Sequence, residues 1–348
     1  MPWYAFLLAP FALIFLGITS VRNYLFDRGW LKSYRSPIPT IVVGNLSVGG
    51  TGKTPMVEFL VKAFREQTHL STLSRGYGRQ SKGLFQANPQ STPEQIGDEP
   101  LQIYSKFERD VPVFVGEDRV DSLQKIHQSN PDLGLVILDD AFQHRKLKAD
   151  FYILLTPYSK PFFSDHILPM GRLREARSGA KRADMVVVTK CPDGLSDSGK
   201  IEFRKRLNPY IRIDAPVFFS GLNYGKPYSV HQNVSFSGKV ILVSGLADPS
   251  LFEDYCKKTF HVLDSFSFPD HHVFSGKDWE NVASSWTDSS SENPVILCTE
   301  KDAEKLKVLA NEGKFREIPI FALPMEVKFE SQEKEVLLAQ IREKLGIQ

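Results

Sequence analysis

The 348-residue chain reads as α/β: a mostly parallel sheet covered by helices, a second, smaller α/β domain, and an N-terminal membrane-associated helix. Three observations carry this reading. Short β-rich runs alternate with helical stretches from Pro39 onward, the rhythm of parallel strands joined by crossover helices. A shorter series of such runs follows after a soft boundary between Asn208 and Gly238. Ahead of both stand 19 residues, Trp3 to Val21, without a charge, 15 of them apolar.

As a helix, the N-terminal run would be about 28 Å long, close to the ~30 Å hydrocarbon core of a bilayer. Its apolar residues fall on every side, unlike the stripe of a surface helix. Met1-Pro2-Trp3-Tyr4 lacks the basic start of a cleaved signal peptide, which leaves a buried core helix or, the favoured reading, a membrane anchor. Arg22, Arg28, Lys32 and Arg35 against Asp27 follow it, interleaved with Tyr24, Phe26, Trp30 and Tyr34. Such a basic, aromatic collar suits a headgroup layer and places the next domain at the cytoplasmic face. Residues 1–35 are therefore assigned to the helix and collar, 36–215 to the phosphate-binding domain and 216–348 to the smaller domain.

Thr40 to Leu46 is the first strand, and it runs into Ser47-Val48-Gly49-Gly50-Thr51-Gly52-Lys53-Thr54-Pro55 and a helix from Lys53 to Arg65. This is the context of a P-loop, whose backbone N–H groups and helix N-terminus bind phosphates. Lys53 would reach the β- and γ-phosphates and the Thr54 hydroxyl a Mg²⁺ ion. Ser47 stands where the usual pattern has its first Gly. Further strands are expected at Val111 to Val115, Leu133 to Leu138, Phe151 to Leu155 and Met185 to Thr189. The third of these five runs ends in Asp139-Asp140, the paired carboxylates of a Mg²⁺-holding strand. In the smaller domain, Val240 to Ser244, His261 to Phe266 and Val295 to Thr299 repeat the pattern, and Thr287 to Asn293 reads as a surface loop. Val217 to Tyr224 and Ile320 to Phe329 are extended in pattern and could pair as a two-stranded hinge before a last helix, Ser331 to Leu345.

Hydrophobic residues at 42% and charged residues at 24% exclude fibrous and disordered chains. A formal charge of +2 offers no field for nucleic acid. Cys191, Cys256 and Cys298 make neither a disulfide framework nor a zinc site, and read as small core residues in a reducing compartment.

Phosphoryl transfer to a hydroxyl needs a base and cations near the γ-phosphate. Candidates after strands are Ser74-Arg75-Gly76-Tyr77-Gly78, Gly97-Asp98-Glu99-Pro100, Glu117-Asp118-Arg119, Gln143-His144-Arg145, Leu173-Arg174-Glu175, Phe268-Pro269-Asp270-His271-His272 and Thr299-Glu300-Lys301-Asp302. His69, His127 and His231 read as structural.

With the P-loop and the Asp pair, these motifs resemble the tetraacyldisaccharide 4'-kinases of bacterial lipid A synthesis, in the family's order along most of the chain. The resemblance implies transfer of the γ-phosphate of ATP, with Mg²⁺, to the 4'-hydroxyl of an acylated glucosamine disaccharide 1-phosphate at the cytoplasmic face of the inner membrane. It makes Asp98 the base and His271 its orienting partner across the domain cleft. Lys53 matches the phosphate position, Thr54, Asp139, Asp140 and Glu175 the metal site, and Tyr77, Arg119, Gln143, His144 and Arg174 polar residues lining the cleft. Two other readings compete. One is a membrane-recruited regulatory ATPase or GTPase, to which Val188-Thr189-Lys190 gives a faint guanine-reading pattern with Asp193 one residue too far. The other is a soluble metabolite kinase whose N-terminal helix is core.

Overall fold

The computed structural model describes residues 7–107, 110–231, 234–310 and 317–347. The first helix, α1 (Ala9–Asp27), is displaced toward the C-terminus from the apolar run, whose residues Trp3 to Phe6 lie outside the described residues. Pro10 sits in its first turn, where a missing N–H costs nothing. The helix therefore continues through Arg22 and Tyr24 into the expected collar. Of its side chains only Ala12 and Thr19 are buried, which removes the core-helix reading. It is the one described helix long and apolar enough to cross a membrane. The collar is largely exposed, Trp30 included, and is tied to the larger unit at two points: Arg35 pairs with Asp150 at 2.7 Å, and Asp27 with Arg145 at 2.6 Å.

The larger unit runs β1 (Thr40–Asn45), α2 (Lys53–Phe64), β2 (Leu70–Ser74), β3 (Phe85–Gln86), α3 (Pro93–Ile96), α4 (Asp98–Phe107), β4 (Val113–Val115), α5 (Arg119–Ser129), β5 (Leu135–Asp139), β6 (Phe151–Pro157), β7 (Met185–Thr189), α6 (Asp197–Leu207) and β8 (Val217–Phe219). Its eight-stranded sheet has the order β3-β4-β2-β5-β1-β6-β7-β8. Every pairing is parallel except that of the short edge strand β3 with β4. Alternation along β1 sends Ile41 and Val43 into one core and Val42 into the other, so both faces of the sheet are covered. Because β1 lies between β5 and β6, the loops after β1 and β5 open side by side at one edge.

The chain then passes through β9 (Gly221–Tyr224) and β10 (Tyr228–Ser229) to β11 (Lys239–Gly245), α7 (Ser250–Thr259), β12 (His261–Phe268), α8 (Gly276–Asp288), β13 (Val295–Thr299), α9 (Glu300–Ala310) and β14 (Ile320–Leu323). Strands β10-β14-β13-β11-β12 form the second sheet. The expected loop from Thr287 instead begins as the end of α8 and includes a short 3₁₀ turn, Ser290–Glu292. β15 (Met325–Lys328) pairs antiparallel with β9, so the two crossings between the units lie side by side as a ribbon. The last helix, α10 (Ser331–Leu345), corrects the division at residue 216: its Leu337, Leu338 and Ile341 lie in the larger unit's core beside Met56 and Leu60. Cys256 and Cys298 are buried, Cys191 half-buried, and all three are free thiols.

A buried ion cluster ties the units together. Lys106 of α4 donates to Glu58 of α2 and to Glu300 of α9, both at 2.7 Å. Burial raises the Glu58 pKa to about 7 against the opposing pull of Lys106.

Candidate active site

The loop from Ser47 to Thr54 is braced from within and from its neighbours. Asn45, the last residue of β1, donates from Nδ2 to the Ser47 carbonyl (2.6 Å) and to Thr51 Oγ1 (2.8 Å). The Val48 N–H donates to the Arg172 carbonyl (2.8 Å), and Thr189 Oγ1 at the end of β7 to the Thr51 carbonyl (2.8 Å). Gly49 (φ 106°) and Gly52 (φ 87°) occupy the left-handed region, where a side chain would strain the turn. Ser47 is not among the residues with positive φ, so serine fits where the usual pattern has glycine. Lys53 and Thr54 open α2, with Lys53 Nζ 3.7 Å from Asp140.

Asp139 and Asp140 end the adjacent strand with opposite electrostatics. Asp139 is buried; desolvation, only partly offset by Lys53, raises its pKa to about 7, and its Oδ1 has no hydrogen-bond partner. Asp140 (φ 50°) also loses solvent, but Lys53 and Arg174, whose Nη1 donates to both carboxylate oxygens at 2.8 and 2.9 Å, outweigh that loss and hold its pKa below the ordinary value. Arg119 is buried beside the pair, donates to the carbonyls of Gly116 and Glu117, and has its pKa lowered to about 10 by burial. Burial and Arg119 also press the His144 pKa down to about 4, so its imidazole is neutral at pH 7 and lies 3.9 Å from Asp118.

Glu175 is placed otherwise than expected. It is fully buried, and both carboxylate oxygens are taken: Oε1 by Gln143 (3.0 Å) and Arg182 (2.6 Å), Oε2 by Asn23 of α1 (2.6 Å). In this arrangement it joins the N-terminal helix to the site's floor instead of facing the Asp pair as a ligand. Gln143 continues the link to the Asn45 carbonyl at 2.8 Å.

The opposite wall is assembled from both units. Asp98 begins α4 after Gly97, whose φ of 92° and close approach to Gly76 and the Tyr77 carbonyl leave no room for a side chain. Its Oδ2 meets His271 Nδ1 at 3.2 Å and Lys305 Nζ at 2.6 Å. Burial by itself would raise Asp98; these two hydrogen bonds outweigh it and leave the pKa below the ordinary value. The same bond to Asp98 raises the His271 pKa, against partial burial. Lys301 lies 3.0 Å from Glu99 and 2.9 Å from Asp270, and Lys305 also donates to the His272 carbonyl (3.1 Å). The exposed Tyr77 ring packs on His271, with centroids 5.1 Å apart. Glu99 is near enough to Asp139 to contribute to that acid's raised pKa, so the two walls share one cleft.

His271 (φ 59°) and Asp140 are two of only four described non-glycine residues with positive φ, a concentration of strain where function is expected. His272 is bound to Asp278 (3.0 Å) in the capping box of α8, away from this chemistry. The guanine-reading alternative does not assemble: Thr189 braces the P-loop, and Asp193 is exposed beside Lys328. Lys305, Arg182 and Asn23 were not evident from the sequence. Lys305 had one signal, its i+4 spacing from Lys301, which puts both ammonium groups on one face of α9.

Comparison with known proteins bears on the whole chain. Residues 4–344 match the family model described as tetraacyldisaccharide-1-P 4'-kinase. The tetraacyldisaccharide 4'-kinase of Flavobacterium psychrophilum is 41% identical over 332 residues, covering 94% of this chain and 93% of that protein. That of Bacteroides thetaiotaomicron is 39% identical over 343 residues, covering 92% and 88%. The crystal structure of the "apo" form of LpxK from Aquifex aeolicus in complex with ATP superposes with a TM-score of 0.73 at 31% identity, covering 97% of this chain and 98% of that one.

Proposed function

The chain belongs to the tetraacyldisaccharide 4'-kinase family and is an ATP-dependent kinase of lipid A synthesis, and we propose that Asp98 is the base of its transfer reaction, with His271 and Lys305 holding it ready. The observation that carries this assignment is the contact of Asp98 with His271 across the cleft, at the edge of the wall that bears Lys53 and the Asp pair. The substrate's 4'-hydroxyl would lie between Asp98 and the γ-phosphate. Its proton passes to Asp98 while its oxygen bonds to the γ-phosphorus, and the bond to the β-phosphate oxygen breaks to release ADP. A carboxylate of depressed pKa is a weak base, so proton transfer accompanies the attack instead of preceding it. His271, whose pKa the bond to Asp98 raises, fixes the orientation of that carboxylate and spreads the change in charge. Lys53 and Arg119 meet the charge on the transferred group, while Tyr77, Gln143 and His144 line the cleft and Arg174 holds Asp140.

The residues at the P-loop suit Mg²⁺. The unpartnered buried Oδ1 of Asp139 would be the first cation ligand, with the Thr54 hydroxyl at the start of α2 and Asp140, whose oxygens Arg174 holds, as the others. Mg²⁺ commonly takes one or two carboxylates and completes its shell from substrate phosphates and water. When bound, Mg²⁺ would neutralise charge on the β- and γ-phosphates.

At the membrane, the exposed Phe11, Leu13, Ile14 and Ile18 and an open apolar groove of about 570 Å³ along α1 favour an anchor in the inner membrane, with the catalytic units on the cytoplasmic face. The decisive assay supplies labelled ATP and acylated disaccharide 1-phosphate in mixed micelles. Label should appear in the lipid with wild-type protein and be nearly lost in Asp98→Ala and His271→Ala at an unchanged KM for ATP; a collapse of ATP affinity instead would move both residues to nucleotide binding. Flotation with vesicles should carry the intact chain, and recovery wholly in the detergent-free soluble fraction would sink the anchor.

A further inference from the structure

Lys190 lies just beyond β7, at the strand edge that opens into the cleft. Its ammonium Nζ stands 3.8 Å from the point a Cβ on Gly50 would occupy, so it faces the rim of the P-loop. It is half-buried, and among the described residues it has no hydrogen-bond or ion-pair partner. The charged groups that act on it are Asp248, Lys160 and Asp270, and each of the two acids already has its own lysine: Asp248 pairs with Lys160 at 2.8 Å, Asp270 with Lys301 at 2.9 Å.

Its backbone is held there at a cost. Lys190 has φ 55°, a region that residues other than Gly, Asn and Asp rarely adopt. The residues on either side fix that geometry: Thr189 bonds to the P-loop through Oγ1, and the Cys191 N–H donates to the Ser220 carbonyl at 3.0 Å. A strained backbone that presents an unpaired, partly desolvated cation to a phosphate-binding loop is arranged for an anion that binds there. Burial accordingly lowers the lysine's pKa.

We propose that Lys190 is a second nucleotide-binding lysine, which contacts the phosphate chain of ATP from the side of the P-loop opposite the Lys53–Asp140 pair. The proposal rests on the ATP reading of the P-loop. The lipid's 1-phosphate shares the same chemistry, but the approach to Gly50 favours the nucleotide.

The test uses the full-length protein in detergent micelles with Mg²⁺ and ATP, without lipid. Lys190→Met should weaken the Kd for ATP about tenfold or more, the loss expected for one charge-assisted hydrogen bond, while Lys190→Arg keeps most of the affinity. A structural lysine would lose thermal stability on substitution; here the Tm of nucleotide-free Lys190→Met should equal or exceed wild type, because an unpaired cation has been removed. In the wild-type protein, acylation of Lys190 should be blocked by ATP and not by the acylated disaccharide 1-phosphate alone. Unchanged ATP affinity in Lys190→Met, or protection by the lipid alone, overturns the proposal. Wild-type protein that fails to bind ATP would sink the kinase reading as well, whereas normal wild-type binding with an indifferent Lys190→Met sinks only the role of this lysine.

Discussion

Lys53 and Asp98 face the same cleft, but they are held there by different means. Lys53 follows a strand and a braced loop within eight consecutive residues, and its neighbours Asp139 and Asp140 come from the adjoining parallel strand of the same sheet. Asp98 begins a helix of the larger unit, yet its polar partners, His271 and Lys305, belong to the smaller one. The phosphate wall therefore exists as soon as one sheet has formed. The base wall exists only while two units are docked, and their docking depends on buried contacts such as Lys106 between Glu58 and Glu300. Motion between the units therefore alters the second wall and leaves the first intact.

The largest test of that difference is Asp98→Asn. It should lower kcat by about 10³, within the range of a lost general base, and leave the Kd for ATP unchanged. Lys53→Met should lower kcat by about 10² to 10³ and also weaken ATP binding, because the phosphate wall serves both states. If the two variants shared one kinetic signature, the division into walls would be wrong. Lys305→Met sharpens it further, with an expected loss of about tenfold in kcat. With Lys305 gone, burial raises the Asp98 pKa, so the acid limb of the kcat/KM profile should move to higher pH; an unmoved limb would show that Lys305 only supports the fold.

The smallest expected effect is on stability. Asp139 has a folded-state pKa near 7 against an unfolded value of about 3.9, so between those pH values the native state holds a proton that the unfolded chain has released. Its contribution to stability is present below about pH 4 and is lost as pH rises toward 7. Asp139→Asn should abolish that loss, raising the Tm at pH 7 relative to wild type while impairing catalysis; thermal melts across this window check the sign. For His271 the raised pKa acts in the same direction at higher pH: stability from its bond to Asp98 is full below about pH 6.5 and is lost above its folded-state pKa.

The phosphate wall was legible in the chain because its determinants are local. Strand, glycine loop and Lys53-Thr54 follow one another, and Met185–Thr189 and Val295–Thr299 are strands over the very residues whose apolar runs predict them. Ser331–Leu345 is likewise a helix where its pattern ends, but which core it joins depends on packing against β6 of the larger unit, which no local pattern encodes. Glu175 shows the same limit. Its place in the motif could not reveal that Asn23, 152 residues earlier, and Arg182 would take its oxygens.

By itself the sequence determined the periodicities, the P-loop, the Asp pair and the motifs that mark the family, since each depends on residues close together along the chain. Tertiary structure alone decided that Lys305 meets Asp98, that Glu175 ties α1 to the site, and that among the described residues Lys190 has no anion paired to it. The physical reason is that charge acts through space. Which ammonium pairs, and which waits for a ligand, follows from burial and from distances of a few ångströms between segments that the chain itself holds far apart.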